Sequence, residues 1–237
     1  TIVRATAPHI LNLDPPAALQ GKPQERQMEL LRLLNSTHAA KNPGETDLMA
    51  RIQSYELAAR MQLSAPEVFD LHGETELTSK LYGLDQPVTA EFGRRCLMAR
   101  RLIERGVRVV QCYHGDVQPW DSHSNLAGEH KKLGNECDGP IAALITDLAQ
   151  RGLLDQTLII CGGEFGRTPA VEIPIGGGNP TGRDHNHHGF SVWMAGGGIK
   201  GGLAYGATDE FGYRAVENRV HIRDIHATML HLMGFNH

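Results

Sequence analysis

The sequence contains three short polar segments whose carboxylate and imidazole side chains are of the types that bind metal ions. Their candidate ligands are Asp121 and His123 in the motif WDSH, Glu164 in GGEFGR, and Asp184, His185 and His187 in RDHNHHG. Mixed carboxylate and imidazole sets suit zinc, manganese or iron better than calcium, which prefers all-oxygen shells. We therefore predict a divalent metal site, with zinc as the first choice and manganese, calcium or iron as alternatives.

Two arginines near these segments could bind an anionic group of a substrate. Arg167 follows Glu164 in GGEFGRTP, and Arg183 directly precedes Asp184. A guanidinium group matches the oxygens of phosphate or sulfate with two parallel hydrogen bonds, although a surface ion pair would use the same residue type equally well. An arginine beside a metal that polarises an ester would suit hydrolysis.

Other roles are open for several of these residues. Asp121 could cap the helix that we predict to begin near Asn125. His185 and His187 would face one side if their segment is extended, whereas His188 adjoins a predicted strand and could serve packing alone. The sequence therefore leaves open which histidine of this group is a ligand.

Three apolar runs predict the strands that would position these segments. They lie at residues 107–113, 157–161 and 190–195, and helical patterns cover residues 89–105 and 126–151. The order strand, polar loop, helix, strand is typical of a β-α-β unit with parallel strands. We therefore predict an α/β fold with a doubly wound, mainly parallel sheet flanked by helices, and a site at the carboxyl ends of the strands.

The first third of the chain shows almost no strand pattern. After an irregular start, apolar residues at helical spacing predict helices from Pro23 and across residues 45–63. We predict that residues 1–87 form a mainly helical subdomain or lid and that residues 88–237 form the α/β core. Within that core, residues 168–189 form a long loop, which in a compact domain is usually functional or mobile.

Composition is that of an ordinary globular protein. Of 237 residues, 41% are hydrophobic and 21% are charged, and the net charge is −4 with histidine neutral. This balance gives no basic surface for nucleic acid, and no apolar window has the length of a membrane span. The four cysteines form no CxxC pair, and the sequence has no GxSxG motif, no Walker loop and no GxGxxG after a strand. A metal site is thus the strongest chemical signal.

Five longer motifs resemble an uncharacterised bacterial family of sulfatase-like proteins. They are WDSH, GLLDQTLIICGGEFGRTP, GRDHNHHGFSVWMAGGGIKGG, YGATDEFGYRAVEN and HIRDIHATMLHLMG. This family of unknown function is abundant in planctomycete-type bacteria and resembles the alkaline phosphatase superfamily of metal-dependent phosphatases, sulfatases and phosphomutases. The resemblance is detailed from residue 88 onward, and it implies an alkaline-phosphatase-like α/β fold.

The resemblance also implies roles for individual residues. Asp121 and His123 match an aspartate and a histidine that bind one metal in the superfamily, and His185 matches a later histidine of that metal site. Glu164 stands where these proteins carry the aspartate of an Asp-His-Gly motif, and Phe165 stands where they carry its histidine. The nucleophile and an early metal-binding aspartate are expected upstream of the helical region.

Together, the residues and the resemblance predict a metal-dependent hydrolase of sulfate or phosphate esters. Its substrate would be a sulfated or phosphorylated small molecule or glycan. The alternatives are a non-catalytic binding or assembly module on the same scaffold and a metal-dependent phosphomutase. The resemblance covers the C-terminal part of longer family chains, which implies exposed sheet edges and pairing into a homo-oligomer. The family resemblance by itself suggests an exported or periplasmic setting.

Overall fold

The computed structural model shows a chain that divides into two compact units. It describes residues 2–6, 9–10, 13, 16, 18, 20–115, 117–173 and 180–236. The N-terminal unit spans Thr1–Glu74, and the C-terminal unit spans Thr75–His237. The boundary that we predict from the sequence lies between residues 87 and 88. The glycine triplet at residues 176–178 of the predicted long loop lies outside the described residues.

Two long helices make up most of the described N-terminal unit. α1 spans Lys22–Lys41 and α2 spans Thr46–Phe69. A proline lies in the first turn of α1, where its missing N–H would have no partner within the helix, so it favours the helix start. α2 continues through Pro66 and is longer than the helix predicted across residues 45–63.

Four of the described helices belong to the C-terminal unit: α3 (Glu76–Leu81), α4 (Ala90–Glu104), α5 (Leu126–Gln150) and α6 (Ile222–Leu232). α4 packs against α5. The buried apolar side chains of these two helices include Phe92, Cys96, Leu97, Met98, Leu133, Ala143 and Leu148. Pro140 lies inside α5 and is buried, so tertiary packing keeps the helix continuous at a position that could have split it.

Across the described ranges, no helix is both long enough and apolar enough to cross a membrane.

A buried network of polar side chains connects α4 with α5 and with the residue that follows α3. Asp147 Oδ2 accepts a hydrogen bond from the Tyr82 hydroxyl (3.0 Å) and lies 2.9 Å from Arg100 Nε. Asp147 Oδ1 accepts a hydrogen bond from Arg151 Nε (2.7 Å), and Glu104 accepts hydrogen bonds from both arginines. Burial, together with the negative charge of Asp147, raises the pKa of the Tyr82 hydroxyl well above its usual value. The helix pair therefore depends on polar as well as apolar contacts.

In the described chain, the strands are short and pair in twos. They are β1 (Ile159–Cys161), β2 (Gly166–Glu172), β3 (Gly182–Asn186), β4 (Trp193–Ala195), β5 (Ala207–Thr208) and β6 (Ala215–Glu217). β1 pairs with β4, β2 with β3, and β5 with β6, and each pair is antiparallel. Between two paired positions, residues 168–170 of β2 stand opposite the single residue Asp184 of β3, which makes a bulge.

The predicted doubly wound, mainly parallel sheet is wrong. Residues 107–113 form no strand, and Val109 and Tyr113 expose 73% and 66% of their surface. The predicted β-α-β unit therefore lacks its first strand. β1 pairs instead with β4, which the chain reaches after doubling back through β2 and β3, and this path gives antiparallel strands. The described part of the C-terminal unit combines a packed helix pair with small antiparallel sheets.

Candidate metal centre

Three of the predicted ligands converge in the C-terminal unit. Nε2 of His123 lies 2.8 Å from Asp121 Oδ1, and Nε2 of His185 lies 3.0 Å from the same oxygen. The ligating atoms of these three residues, which we call the triad, all lie within 4.8 Å of one another. The side chains of His123 and His185 expose 42% and 46% of their surface, so the triad is open to solvent and to a substrate.

Backbone ties between β3 and the segment before α5 assemble the triad. The Arg183 N–H donates to the Ser122 carbonyl (3.3 Å). At the start of α5, the Asn125 N–H donates to Thr181 Oγ1 (2.7 Å), and the Leu126 N–H donates to the Thr181 carbonyl (3.1 Å). These bonds bring the first two members of the triad to the strand that carries the third.

Gly182, the first residue of β3, allows this close approach. It is buried against the backbone of His123, and a Cβ atom added at Gly182 would overlap the His123 carbonyl group. Any side chain at position 182 would therefore push the segment that carries Asp121 and His123 away from β3.

A second set of contacts anchors the triad on α5 through Trp120. The Trp120 indole N–H donates to Nδ1 of His114 (3.0 Å), and Nε2 of His130 donates to the Trp120 carbonyl (3.2 Å). Because Nδ1 of His114 accepts a hydrogen bond, its Nε2 carries the hydrogen and faces Glu136 of α5 at 3.4 Å. Burial lowers the pKa of His114 and outweighs the opposing charge of Glu136. Trp120 directly precedes Asp121, so these contacts fix the start of the segment that carries Asp121 and His123.

Arg167 of β2 balances the charge of the triad. Its Nη1 donates a hydrogen bond to Asp121 Oδ1 at 2.5 Å. The guanidinium and both imidazoles of the triad therefore contact the same carboxylate oxygen. Burial opposes ionisation of Asp121, but hydrogen bonds from Arg167 and His185 outweigh it and lower the pKa of this carboxyl to about 2. The Phe165 ring centroid lies 5.7 Å from the Arg167 guanidinium carbon and 4.4 Å from the His185 ring centroid. Phe165 therefore packs against two of the side chains that contact Asp121.

The triad could hold a divalent metal ion. Two imidazole nitrogens and one carboxylate leave a fourth tetrahedral position for water or substrate, which is the arrangement of catalytic zinc sites. Ligands about 2.1 Å from such a metal stand about 3.4 Å apart. The observed separations of 2.8 and 3.0 Å are slightly shorter, so small side-chain movements would admit the ion. The same donors are compatible with manganese or iron.

Glu164 lies outside the triad, although its neighbours take part in the site. It is exposed at the bend between β1 and β2. The triad lies at the register pair formed by Arg167 and His185, and Glu164 precedes that pair by three residues, before β2 begins. Among the described residues, the cluster of ligating atoms does not include Glu164.

Asp184 and His187 also lie apart from the triad, for two different reasons. Asp184 is next to His185 in β3, where successive side chains point to opposite faces, and its Oδ1 accepts the His185 N–H (2.7 Å). β3 ends at Asn186, so the alternation that would align His187 with His185 stops there. The His187 ring packs on His188 instead, with centroids 3.8 Å apart.

The two predicted anion-binding arginines occupy different places. Arg167 contacts Asp121, whereas Arg183 Nη1 donates to the adjacent Gly182 carbonyl (2.8 Å). Arg183 pairs with Val171, on the other side of the β2 bulge from Arg167. The structure therefore places Arg167 at the candidate site and Arg183 beyond it.

Sequence reasoning missed a residue that joins the triad to the neighbouring loop. Asn186 is buried; its Nδ2 donates to the Tyr213 carbonyl (2.9 Å), and its Oδ1 accepts the His188 N–H (3.0 Å). It thereby ties the end of β3 to the loop before β6. The signal was present in the motif DHNHHG, because an amide side chain between polar residues is suited to satisfying loop backbone groups.

Comparison with known proteins gives a family but no named relative. A family model described as "Protein of unknown function (DUF1501)" matches residues 1–237. Searches of curated proteins and of solved structures match no protein. The resemblance to a family of unknown function is thus confirmed at that level, and the chain belongs to the DUF1501 family.

Proposed function

We propose that this protein is a metal-dependent hydrolase of phosphate or sulfate esters. The observation that carries the proposal is the convergence of the triad with Arg167, which joins a metal-type donor set to a guanidinium group. The resemblance of five sequence motifs to sulfatase-like proteins, which remains a prediction, would suit the same chemistry. The proposal depends on the triad and not on a shared fold, since the described strands form no large parallel sheet.

Each side chain of the site would have a defined role in ester hydrolysis. The triad would hold the metal, and a bound zinc ion lowers the pKa of a coordinated water to about 7. Arg167 uses Nη1 for Asp121, and its other N–H groups are left for the oxygens of the phosphate or sulfate group. Phe165 packs beside the guanidinium and the His185 ring and so limits their movement.

A second candidate function is non-catalytic binding or assembly. One observation favours it: Arg167 already neutralises Asp121, so the four side chains form a complete ion-pair cluster by themselves. Such a cluster could serve only to tie β2 to the segment before α5.

A metal-dependent phosphomutase would use the same donors. Its product, an isomeric sugar phosphate rather than free phosphate, would distinguish it from a hydrolase.

Metal analysis and turnover of the purified full chain test the first proposal. We expect a single zinc ion per chain and zinc-dependent hydrolysis of 4-nitrophenyl phosphate or 4-nitrophenyl sulfate. Asp121→Asn, His123→Ala and His185→Ala should each abolish both zinc binding and turnover, because a site with three protein ligands loses one of them. His226→Ala provides the matched control, since His226 is exposed on α6 and lies outside the triad.

Two results would decide against hydrolysis. Failure of the wild-type chain to bind zinc, manganese or iron would remove the metal from the mechanism. Metal binding without turnover of either ester, combined with a loss of stability in His185→Ala, would favour the non-catalytic module, in which the cluster ties β2 to the segment before α5.

A further inference from the structure

An open cleft with a volume of about 520 Å³ lies in the C-terminal unit and is separate from the triad. Its lining residues are Pro169, Ala170, Asp209, Phe211, Tyr213 and Arg214. Small-molecule sites typically enclose about 300–1,000 Å³ and combine apolar walls with a few polar groups. We call this feature the aromatic cleft.

One wall of the aromatic cleft is the bulge of β2. Thr168 stabilises the bulge, because its Oγ1 donates to the Ala170 carbonyl (3.0 Å) and accepts the Asp184 N–H (3.3 Å). The extra residues of the bulge carry Pro169 and Ala170 out of the regular strand pairing. This wall is therefore an apolar surface with its backbone polar groups partly satisfied from within.

The opposite wall is a loop built around Asp209. Its two carboxylate oxygens accept the N–H groups of Tyr213 (2.7 Å) and Arg214 (3.0 Å). The Asp209 N–H donates to the Arg214 carbonyl (2.9 Å), and the Gly212 N–H donates to the Asp209 carbonyl (3.0 Å). Gly212 has a φ of 73°, a conformation that disfavours other residues. The loop is thus held in shape before any ligand arrives, which lowers the entropic cost of binding.

Both walls are attached to the residues that build the metal centre. Pro169 is two residues after Arg167, which limits the distance between their Cα atoms to about 7.6 Å. On the other side, Asn186 follows His185 and donates to the Tyr213 carbonyl. The backbone positions of Arg167 and of the cleft wall are therefore separated by no more than the length of an ordinary small ligand.

The side chains of the aromatic cleft define the chemistry of its ligand. Phe211 and Tyr213 expose 71% and 39% of their surface and offer ring faces. The guanidinium carbon of Arg214 lies 5.9 Å from the Tyr213 ring centroid, and no ion pair of Arg214 is found in the described chain. Asp209, by contrast, is already occupied by backbone donors. Flat rings and a cation suit an aromatic ring with an acidic substituent better than a hydroxyl-rich sugar.

We propose that the aromatic cleft binds the organic part of the substrate, and that this part is an aromatic ring bearing a second acidic group. The ring would stack on Phe211 and Tyr213, the acidic group would pair with Arg214, and the ester group would lie at Arg167. This inference rests on the proposed function for its orientation. The protein as a whole carries a net charge of −4, so a preference for extra negative charge has to come from a local cation.

Binding of three non-hydrolysable phosphonates to the full chain tests this proposal. The probes are methylphosphonate, phenylphosphonate and 4-phosphonobenzoate, measured by calorimetry with and without zinc. We expect phenylphosphonate to bind about tenfold more tightly than methylphosphonate, from ring burial and stacking. We expect the carboxylate of 4-phosphonobenzoate to add about threefold more, as an exposed ion pair can.

Two variants separate the contributions, and exposed residues elsewhere serve as controls. Phe211→Ala should remove the advantage of the phenyl ring, and Arg214→Gln should remove only the advantage of the carboxylate. Phe235→Ala and Arg223→Gln, which change exposed residues outside the aromatic cleft, should leave both advantages intact.

Equal affinity for phenylphosphonate and methylphosphonate would overturn the proposal, as would the absence of any phenylphosphonate binding. A carboxylate advantage that survives Arg214→Gln would overturn the assignment of Arg214. These affinity ratios do not depend on turnover, and they can be obtained without zinc. A chain that prefers the ring but hydrolyses no ester would therefore refute the proposed function and leave the aromatic cleft supported.

Discussion

At the scale of single residues, one oxygen atom dominates the candidate site. Side-chain nitrogen atoms of Arg167, His123 and His185 all contact Oδ1 of Asp121. A metal ion bound by the triad would approach the same carboxylate as the guanidinium, and two cations at such short range repel each other. Arg167 is therefore expected to oppose metal binding while it assists anion binding.

The substitution Arg167→Met separates these two effects. Zinc should bind at least about tenfold more tightly, because a competing positive charge is removed from the carboxylate. Inorganic phosphate should bind to the zinc-loaded chain about tenfold more weakly, because a charged donor is lost. Zinc competition with a chelating dye and calorimetry with phosphate measure the two constants. Arg183→Met is the control, and an equal response in both variants would contradict a specific role for Arg167.

Gly182→Ala is a second test at the residue scale. The added methyl group would displace the His123 carbonyl, so we expect a loss of about 1–3 kcal/mol in the free energy of unfolding. Zinc affinity should fall with it, because His123 moves away from His185. Gly201→Ala is the matched control, since a Cβ atom at Gly201 meets no neighbour. Denaturant unfolding and zinc titration of both variants would show whether the close approach matters.

Residue types alone could predict the candidate ligands of the triad, but not which of them converge. The family resemblance, in contrast, already grouped Asp121, His123 and His185 at one metal, and the structure brings these three together. Asp121, His123 and His185 are recognisable because imidazoles and carboxylates cluster in short motifs. Glu164 has the same chemistry, and its exclusion follows from the register that pairs Arg167 with His185. Register depends on long-range pairing, which local patterns do not encode.

At the scale of elements, the stability of the C-terminal unit depends on the polar network between α4 and α5. Tyr82 is fully buried, and Asp147 and Arg100 are nearly so. Removing one member of such a network leaves a buried charge or polar group without a partner, which costs more than the pair contributes when intact. The stability of the helix pair therefore depends on the protonation states of these side chains, and so on pH.

The raised pKa of Tyr82 predicts a loss of stability in alkali. The unfolded chain ionises its tyrosines near pH 10, whereas folded Tyr82 holds its proton to higher pH. Its contribution is thus fully present below about pH 10 and falls above it by at most about 1.4 kcal/mol per pH unit. Denaturant unfolding at increasing alkaline pH should show this fall in wild type and less of it in Tyr82→Phe. Tyr205→Phe, at an exposed position, should behave as wild type, and an identical pH dependence in all three chains would contradict the prediction.

Helices were easier to predict than strands for a physical reason. The helix predicted over residues 89–105 matches α4, and the one over residues 126–151 matches α5, because helical spacing and end residues act locally. The apolar run at residues 107–113 has the composition of a buried strand but no partner strand in the described chain. A strand needs a partner to satisfy its backbone, so composition alone misassigned that run.

At the scale of the whole molecule, the candidate site belongs to one of the two units. The triad, Arg167 and the aromatic cleft all lie within the C-terminal unit. The two helices of the N-terminal unit contribute no triad residue. Metal binding is therefore expected to be a property of the C-terminal unit alone.

Expression of residues 75–237 as a separate chain tests this expectation. Its zinc affinity should agree with that of the full chain within about twofold, as expected for independent parts of a molecule. Circular dichroism would establish that the shorter chain is folded. A folded shorter chain that binds no zinc would show that the N-terminal unit is needed for the site.

The ties that assemble the triad also have a consequence for the order of folding. Arg167 and Asp121 are 46 residues apart, and His185 and Asp121 are 64 apart, so the site closes long loops of chain. Closing such loops costs entropy that only later contacts repay, whereas helices form within about a microsecond. We therefore expect the ligands to meet after α4 and α5 have condensed. In this protein the metal would arrive at a finished surface, in contrast to small zinc domains whose folding the ion initiates.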